Sequence, residues 1–486
     1  MPKIGKETLL IFLIITVGAF FRFYNLNWDE GHSFHPDERN IAASVSRVRF
    51  PDKLDPEFFA YGSFPIYIYR TAGEVLLKVT KDTSWNYEWG NINLVGRFFS
   101  ALFSTLTIPL IYVLGRRLFN RYVGLFSAFF FSFCVGVIQT AHFAVTESIL
   151  IFSVVSVTLL SLLILEHPTK KINYLLLGGL FGASLASKMS TISFLIIPLT
   201  SFFLTFNKRD YKHRFISIIS FFVLGILAGF SVAGMIVIFS EGIKNRNKKY
   251  ILFSLFPILY FAYVGSWHTK FIRYMDPLLP FLSISAAFFL YLLIKDFKKL
   301  GKLISVVVVL LTILWTIAFF LIYTREQTRI TASRWIYENI NPGADILTEH
   351  WDDGLPLTIN SNNPGQYKID QLAIYDEDNE NKVNYFSDKL SEADFVVINS
   401  RRLYGTLINL DDKYPITQRY YKLLFSGKLG YEKVAEFSSY PKVLGFEIND
   451  DRSEETFQVY DHPKVMIFGN TKRLDKNTVY QIIKND

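Results

Sequence analysis

The sequence predicts a polytopic α-helical membrane protein that ends in a soluble α/β domain. Three observations carry that prediction. Apolar runs of about 20 residues, long enough to cross a bilayer, recur from residue 8 to residue 323. Short basic segments separate many of them, including "GRRLFNR", "EHPTKK", "NKRDYKHR", "EGIKNRNKK" and "KDFKKLGK". From about residue 326 the apolar runs stop, and charged residues, Asn, Asp and Gly become more frequent. Composition agrees: the chain is 50% hydrophobic and only 19% charged, with a mean hydropathy of +0.24, too apolar for an ordinary soluble domain.

Taken in order, the candidate spans are 8–24, 92–114, 122–141, 145–165, 172–187, 190–206, 214–240, 250–266, 277–294 and 303–323. By length they make about 10–11 transmembrane helices. The first run, "TLLIFLIITVGAFFRF", lacks a small-residue cleavage site after it and reads as an uncleaved span. The positive-inside rule puts the five basic loops on the cytoplasmic side of a plasma membrane. Segments 25–91, 142–144, 188–190, 267–276 and everything after 324 then face outward. The run 214–240 is long for one span and short for two, which leaves the topology of 207–250 open.

The predicted domains are a transmembrane domain, 1–325, and an extracytoplasmic α/β domain, 326–486. Within the first, 25–91 is a long outer loop. Its segments "DERNIAASVSRVRF" and "FPIYIYRTAGEVLLKV" have helical apolar spacing and read as juxtamembrane helices. Arg70, Glu74 and Lys78 argue against a span in the second. Within the C-terminal domain, "ADILTEH", "ADFVVINS", "EKVAEFSS" and "KVMIF" read as strands, and "RITASRWIYENINPGADILTE" as helix, turn and strand.

The formal charge of +8 sits largely in the short loops, so it reports topology and gives no reason to expect a nucleic-acid partner. Cys134 is the only cysteine, which excludes an intrachain disulfide and a four-cysteine zinc site.

The outward ends of the spans gather ionisable residues. The first loop offers Asp29, Glu30, His35, Asp37 and Glu38; "AHFAVTES" offers His142 and Glu147; "ASKMS" offers Lys188; "WHTKFIRYMDP" offers His268, Lys270, Arg273, Tyr274 and Asp276. Arg97 lies about one turn inside the second span. Such groups are costly beside lipid and usually face a cavity or a partner. Each has a plainer reading. Lys188 and Arg273 can snorkel, Glu147 can sit in a first helical turn for the dipole, and Pro36 followed by Asp37 and Glu38 is an ordinary helix start. Asp29 and Glu30 read as solvated interfacial charges. Taken together, the set suits transfer of a sugar from an isoprenoid phosphate. Lys188, Arg273 and one of Arg97 or Lys270 would hold the phosphate, and Asp37 would serve as the base.

The motifs "FHPDE", "HFAVTES", "ASK" and "KFIRYMDPLLPFL", in this order, resemble the GT-C superfamily of polyprenyl-phosphate-sugar-dependent glycosyltransferases. The resemblance is to the family 39 type, which holds protein O-mannosyltransferases and aminoarabinose transferases. "EETFQVYDHPKVMIF" is similar to the tail of prokaryotic members. The resemblance implies a hexosyl- or pentosyl-type transferase of the cell envelope, acting by inverting single displacement. It implies a catalytic set of Asp37 as base, Glu38 in support and Glu147. It implies donor-phosphate contacts from Lys188, Arg273 and Tyr274. A polyprenyl-phosphate-linked sugar is the implied donor, a protein, lipid or glycan the acceptor, and membrane lipids the surroundings. Some members use a divalent metal (Mg, Mn or Zn), for which His35, Asp37 and Glu147 are candidate ligands. The chain departs from the family at 231–249, where an outer loop looks shortened, and its C-terminal domain carries no recognisable acceptor motif. The competing class is a polytopic transporter or lipid flippase, which would place its charges nearer the bilayer midplane.

Overall fold

The computed structural model describes residues 5–50, 52–58, 60–167, 170–205, 238, 242, 244–267, 271–410 and 412–485. The chain divides into two compact units, Met1–Phe320 and Leu321–Asp486.

The first unit is helical. Lys6–Phe23 leads, followed by Pro36–Arg47 and Ser63–Thr80 in the first loop. Then come Trp89–Leu118, the pair Arg121–Ser132 and Val135–Ala141, and Glu147–Glu166. Lys171–Leu185, Ile196–Thr205, Lys248–Gly265 and Leu279–Phe320 complete the order. Among the described residues, three helices are long and apolar enough to cross a membrane, or four if the pair bent by 55° counts as one span. That is fewer than the apolar runs suggest: several runs are broken, Ile272–Asn339 enters as one stretch although it folds back at Lys298, and one run lies almost wholly outside the described residues. One helix stops at Ser132 and resumes at Val135, and Met189–Leu195 is a 3-10 turn ahead of Ile196.

The last long stretch is also interrupted. Lys298 has φ 41° and ψ −101°, outside any helix. A Cβ on Gly301 would lie 1.9 Å from the Leu293 carbonyl oxygen, so the chain folds back there. The expected spans 277–294 and 303–323 are therefore separate helices. The run 214–240, apart from residue 238, and most of 207–250 lie outside the described residues.

The break after Ser132 has an identifiable support. A helix end leaves carbonyls without partners and carries partial negative charge. Arg22, fully buried, donates to the carbonyls of Phe131 (3.0 Å) and Ser132 (3.0 Å) and to Ser104 Oγ (2.7 Å). Thr316 Oγ1 donates to the Phe133 carbonyl at 2.5 Å. A buried cation without an acidic neighbour would be costly; here the helix end receives it.

The second unit is an α/β domain with a five-stranded sheet. Its strands are β1 (Asp345–Glu349), β2 (Lys368–Leu372), β3 (Phe395–Ile398), β4 (Tyr431–Phe437) and β7 (Val465–Asn470), ordered β2-β1-β3-β7-β4. β1 pairs in parallel with β2 and β3, while β7 runs antiparallel to β3 and β4. A separate hairpin joins β5 (Lys442–Val443) to β6 (Phe446–Glu447). The period of two along a strand splits the core into two layers. Val396, Ile398, Met466 and Phe468 pack with Phe386, Leu424 and Ile483. Val397, Val465 and Ile467 pack with Ala332 and Ile336 on the other face. All four strands expected from the sequence are present. β2 was not foreseen: "KIDQL" is an exposed edge strand with no apolar alternation to reveal it.

Candidate functional site

The carboxylates of the first loop divide between two places. Asp29 and Glu38 converge on Arg97, and all three are at most 1% exposed. Arg97 Nη1 and Nη2 donate to the two Asp29 oxygens at 2.7 and 2.6 Å. Its Nε and Nη2 donate to the two Glu38 oxygens at 2.8 and 2.7 Å, and Nη1 also donates to the Leu26 carbonyl at 3.0 Å. A guanidinium has five N–H donors, and these bonds occupy them. The Ala144 amide donates to Glu38 at 2.6 Å, and the Trp28 ring lies 4.9 Å from the guanidinium carbon. Burial pushes the Asp29 carboxyl up, but Arg97 and the Gly31 and Ser33 amides outweigh it and hold the group below its ordinary value.

Two expectations change as a result. Asp29 is buried and paired, not a solvated interfacial charge. Arg97, expected at the donor phosphate, directs its donors inward and has none left for a ligand in this arrangement. Glu38 is sealed in the same cluster. His142 is also internal, with its ring nitrogens against the Ile138 and Tyr24 carbonyls at 2.8 and 3.0 Å.

Asp37, next to Glu38 in sequence, points elsewhere. Its helix, Pro36–Arg47, starts with Pro36 and is capped by His35, whose Nδ1 accepts from the Asp37 amide at 3.1 Å. The Asp37 carboxylate meets Arg273 Nη1 at 2.7 Å, with both side chains near 18% exposed. His35 Nε2 lies 3.2 Å from the same Arg273 nitrogen. Beside this pair, Lys188 Nζ meets Glu147 Oε1 at 3.0 Å. Lys188 Nζ also sits 5.3 Å from the Tyr61 ring centre and 5.6 Å from that of Tyr274. Glu147, Lys188, Arg273, Tyr274, Tyr260 and Trp267 line a small cavity of about 20 Å³.

Local structure explains how such distant residues meet. Glu147 opens the helix Glu147–Glu166. Lys188 is extended (φ −160°, ψ 128°), between the end of one helix and the 3-10 turn Met189–Leu195. The first loop is fastened to that segment: Gly62 N donates to the Ser187 carbonyl at 2.9 Å and Phe64 N to the Ala186 carbonyl at 3.0 Å. A Cβ on Gly62 would lie 1.9 Å from the Ala186 oxygen, so only glycine permits this approach. Arg273 and Tyr274 lie in the 3-10 turn Ile272–Leu278, where Tyr260 Oη donates to the Tyr274 carbonyl at 2.9 Å.

The structure thus brings Asp37, Glu147, Lys188, Arg273 and Tyr274 together and places Glu38 and Arg97 in a sealed cluster alongside. Lys270 and His268 lie outside the described residues. Tyr61 was not foreseen. Its hydroxyl faces Asp37, and burial, then Glu147 and Asp37, raise it well above the ordinary phenol range. A lone tyrosine before a glycine gives no sequence signal for that role. Asp276 is 5% exposed near the same cations.

Among the described residues no group of three or more His, Cys, Asp and Glu side chains is arranged to hold a metal ion. Of the candidate ligands, Asp37 faces Arg273, Glu147 faces Lys188, and His35 lies between the Asp37 amide and Arg273. The donor set does not fit a divalent ion in this arrangement.

Fold and site together define a multi-pass membrane protein with cationic and acidic groups at one small cavity. Residues 89–236 match the family model described as dolichyl-phosphate-mannose-protein mannosyltransferase. Two structures of the archaeal oligosaccharyltransferase from Archaeoglobus fulgidus share the fold, each with a TM-score of 0.50 and 12% identity over 91% of this chain and 75% of that one. One is tethered to an acceptor peptide containing the NVT sequon; the other is in complex with an inhibitory peptide and a dolichol-phosphate. ArnT from Cupriavidus metallidurans bound to undecaprenyl phosphate aligns with a TM-score of 0.40 and 12% identity over 96% of this chain and 99% of that one. Among curated proteins no relative matches. The family match and the shared fold support the GT-C superfamily that the sequence motifs resemble.

Proposed function

We propose that this chain is a glycosyltransferase that moves a sugar from a polyprenyl-phosphate donor to an acceptor hydroxyl or amide at the outer face of the plasma membrane. The observation that carries the reading is the pairing of Asp37 with Arg273 and of Lys188 with Glu147 around one cavity. Phosphate and carboxylate compete for the same cations. A donor phosphate entering the cavity takes Arg273 and Lys188, with Tyr274 beside them, and so releases Asp37. The freed carboxylate accepts the acceptor's proton. The acceptor atom bonds to the anomeric carbon as the bond from that carbon to the phosphate oxygen breaks, and the phosphate leaves with the electron pair, held by the two cations. Attack from the face opposite the phosphate inverts the anomeric centre.

In this reading Glu147 positions Lys188. Glu38 and Arg97 hold the loop that carries Asp37 and act through it. Arg97 is not assigned to the phosphate, and Lys270 remains a candidate for it. The unit Met1–Phe320 is the catalytic membrane domain, and the unit Leu321–Asp486 is extracytoplasmic, in keeping with the five basic loops on the opposite side. The archaeal enzyme with the same fold is seen with a peptide and a dolichol-phosphate, which supports a lipid-linked donor and a protein acceptor.

The test is incubation of membranes containing the protein with radiolabelled polyprenyl-phosphate sugars, following label into protein, lipid and glycan fractions. Transfer by the native chain and its loss in Asp37→Asn support the reading. Movement of labelled lipid across the bilayer without a covalent product would favour a flippase instead.

A further inference from the structure

The two most exposed large apolar side chains among the described residues are neighbours in the second unit. Leu444 is 80% exposed and Phe446 77%, at the tip of the β5–β6 hairpin. Scattered apolar exposure is ordinary; here the two residues share one turn. The hairpin pairs Val443 with Phe446 and Lys442 with Glu447. By the period of two, Val443, Phe446 and the 40% exposed Ile448 share one face, with Lys442 and Glu447 on the other. The turn residues Leu444 (φ 52°) and Gly445 (φ 85°) are both left-handed. A two-residue turn of this kind favours Asn, Asp or Gly at its first position. The chain instead holds a leucine there, where local structure gains nothing from it.

The base of the hairpin is anchored at a defined point. β5 packs on Leu321–Thr324, and Arg325 Nη1 donates to the Tyr440 carbonyl at 3.0 Å. Leu321 directly follows Phe320, the end of the last apolar helix. The hairpin base therefore packs on the four residues that directly follow the last apolar helix in the chain. Three residues of strand rise extend its tip by about 10 Å, while the interfacial zone on each side of a bilayer is roughly 5–8 Å deep.

We infer that the β5–β6 hairpin is a membrane anchor, with Leu444 and Phe446 inserted at the headgroup–acyl boundary of the leaflet from which residue 321 emerges. Lys442 and Glu447 stay at headgroup level. The anchor tethers the second unit to the bilayer at a second point besides the covalent link, and it does not depend on the proposed enzymatic function.

The experiment uses the full chain in lipid nanodiscs. Cys134 is the only cysteine, so Cys134→Ser gives a background in which Leu444→Cys and Phe446→Cys each carry a single nitroxide. Lys368→Cys, on the exposed edge strand β2, is the control. Oxygen concentrates in lipid and a nickel chelate in water. At 444 and 446 the ratio of oxygen to nickel collisions should exceed that at 368 several-fold. Ratios equal to the control overturn the anchor. A label shielded from both reagents also overturns it, because protein then covers the tip.

Discussion

Asp37 and Glu38 are adjacent in sequence, and they teach different lessons. Glu38 joins Asp29 in accepting every hydrogen bond it can from Arg97, in a cluster closed to solvent. Asp37 lies outside that cluster, half-buried and paired with Arg273, which lines the cavity. The first cluster is complete and needs no ligand. The second is a pair of ion pairs that a phosphate could rearrange. Residue type does not separate a structural from a reactive carboxylate here; the number of fixed donors around each one does.

The largest expected effect comes from breaking the closed cluster. Arg97→Ala leaves two buried carboxylates without a counter-charge, which costs about 3–5 kcal/mol. Little folded protein should be recovered, as read by size-exclusion chromatography and thermal unfolding in detergent. Adding Asp29→Asn and Glu38→Gln should restore part of the loss. A stable Arg97→Ala protein with only weakened donor binding would put Arg97 back at the phosphate.

Next is Asp37→Asn, which removes the base and keeps the shape. Turnover should fall by about 10²–10⁴-fold with the unfolding midpoint unchanged. Lys188→Met is a smaller change. Loss of a charge-assisted contact of about 1.5–3 kcal/mol should weaken donor-phosphate binding by roughly 10–100-fold, measured by titration with the polyprenyl phosphate alone.

The smallest effect concerns a third kind of carboxylate, buried without a cation. Glu349, at the end of β1, is 2% exposed, with the Tyr421 hydroxyl and Asp352 nearby. Burial pushes it up to about 8 from an unfolded value of 4.5. With the folded value raised, its contribution is fully present below about pH 4.5 and is lost as pH rises through about 8. Stability should fall by about 2 kcal/mol between pH 6 and pH 8 on this account, and Glu349→Gln should flatten that slope in thermal unfolding. His462 adds to the same trend. Burial pulls its imidazole down, but Asp461 and Asp450 on its two nitrogens raise it to about 9, so its stabilisation is present below 6.5 and fades through 9.

Much of this arrangement was legible in the chain, for reasons that differ by region. The apolar runs marked the helices because hydrophobic length is a bulk property. The fold-back at Lys298 was legible in the basic loop "KDFKKLGK", whereas the break at Phe133 was not, because it depends on partners such as Arg22 and Thr316 that arrive from other helices. In the C-terminal unit the apolar runs of β1, β3, β4 and β7 announced themselves, and polar β2 did not. The residues that meet at the cavity could be proposed from their shared placement at span ends. The division between Asp37 and Glu38 could not be read, since both fit a first helical turn equally well. Tyr61 was invisible because its position is set by the backbone bonds of Gly62 and Phe64 to a segment far along the chain.

The His35–Arg273 contact joins residues 238 positions apart. At a synthesis rate of about 5–20 residues per second, the first loop waits roughly 10–50 s for its partner to be made. During that interval Asp37 belongs to a half-built protein that has no Arg273 to engage. The cavity comes into being only after most of the membrane unit has been inserted, so a truncated or stalled chain holds half of the site and none of its closure.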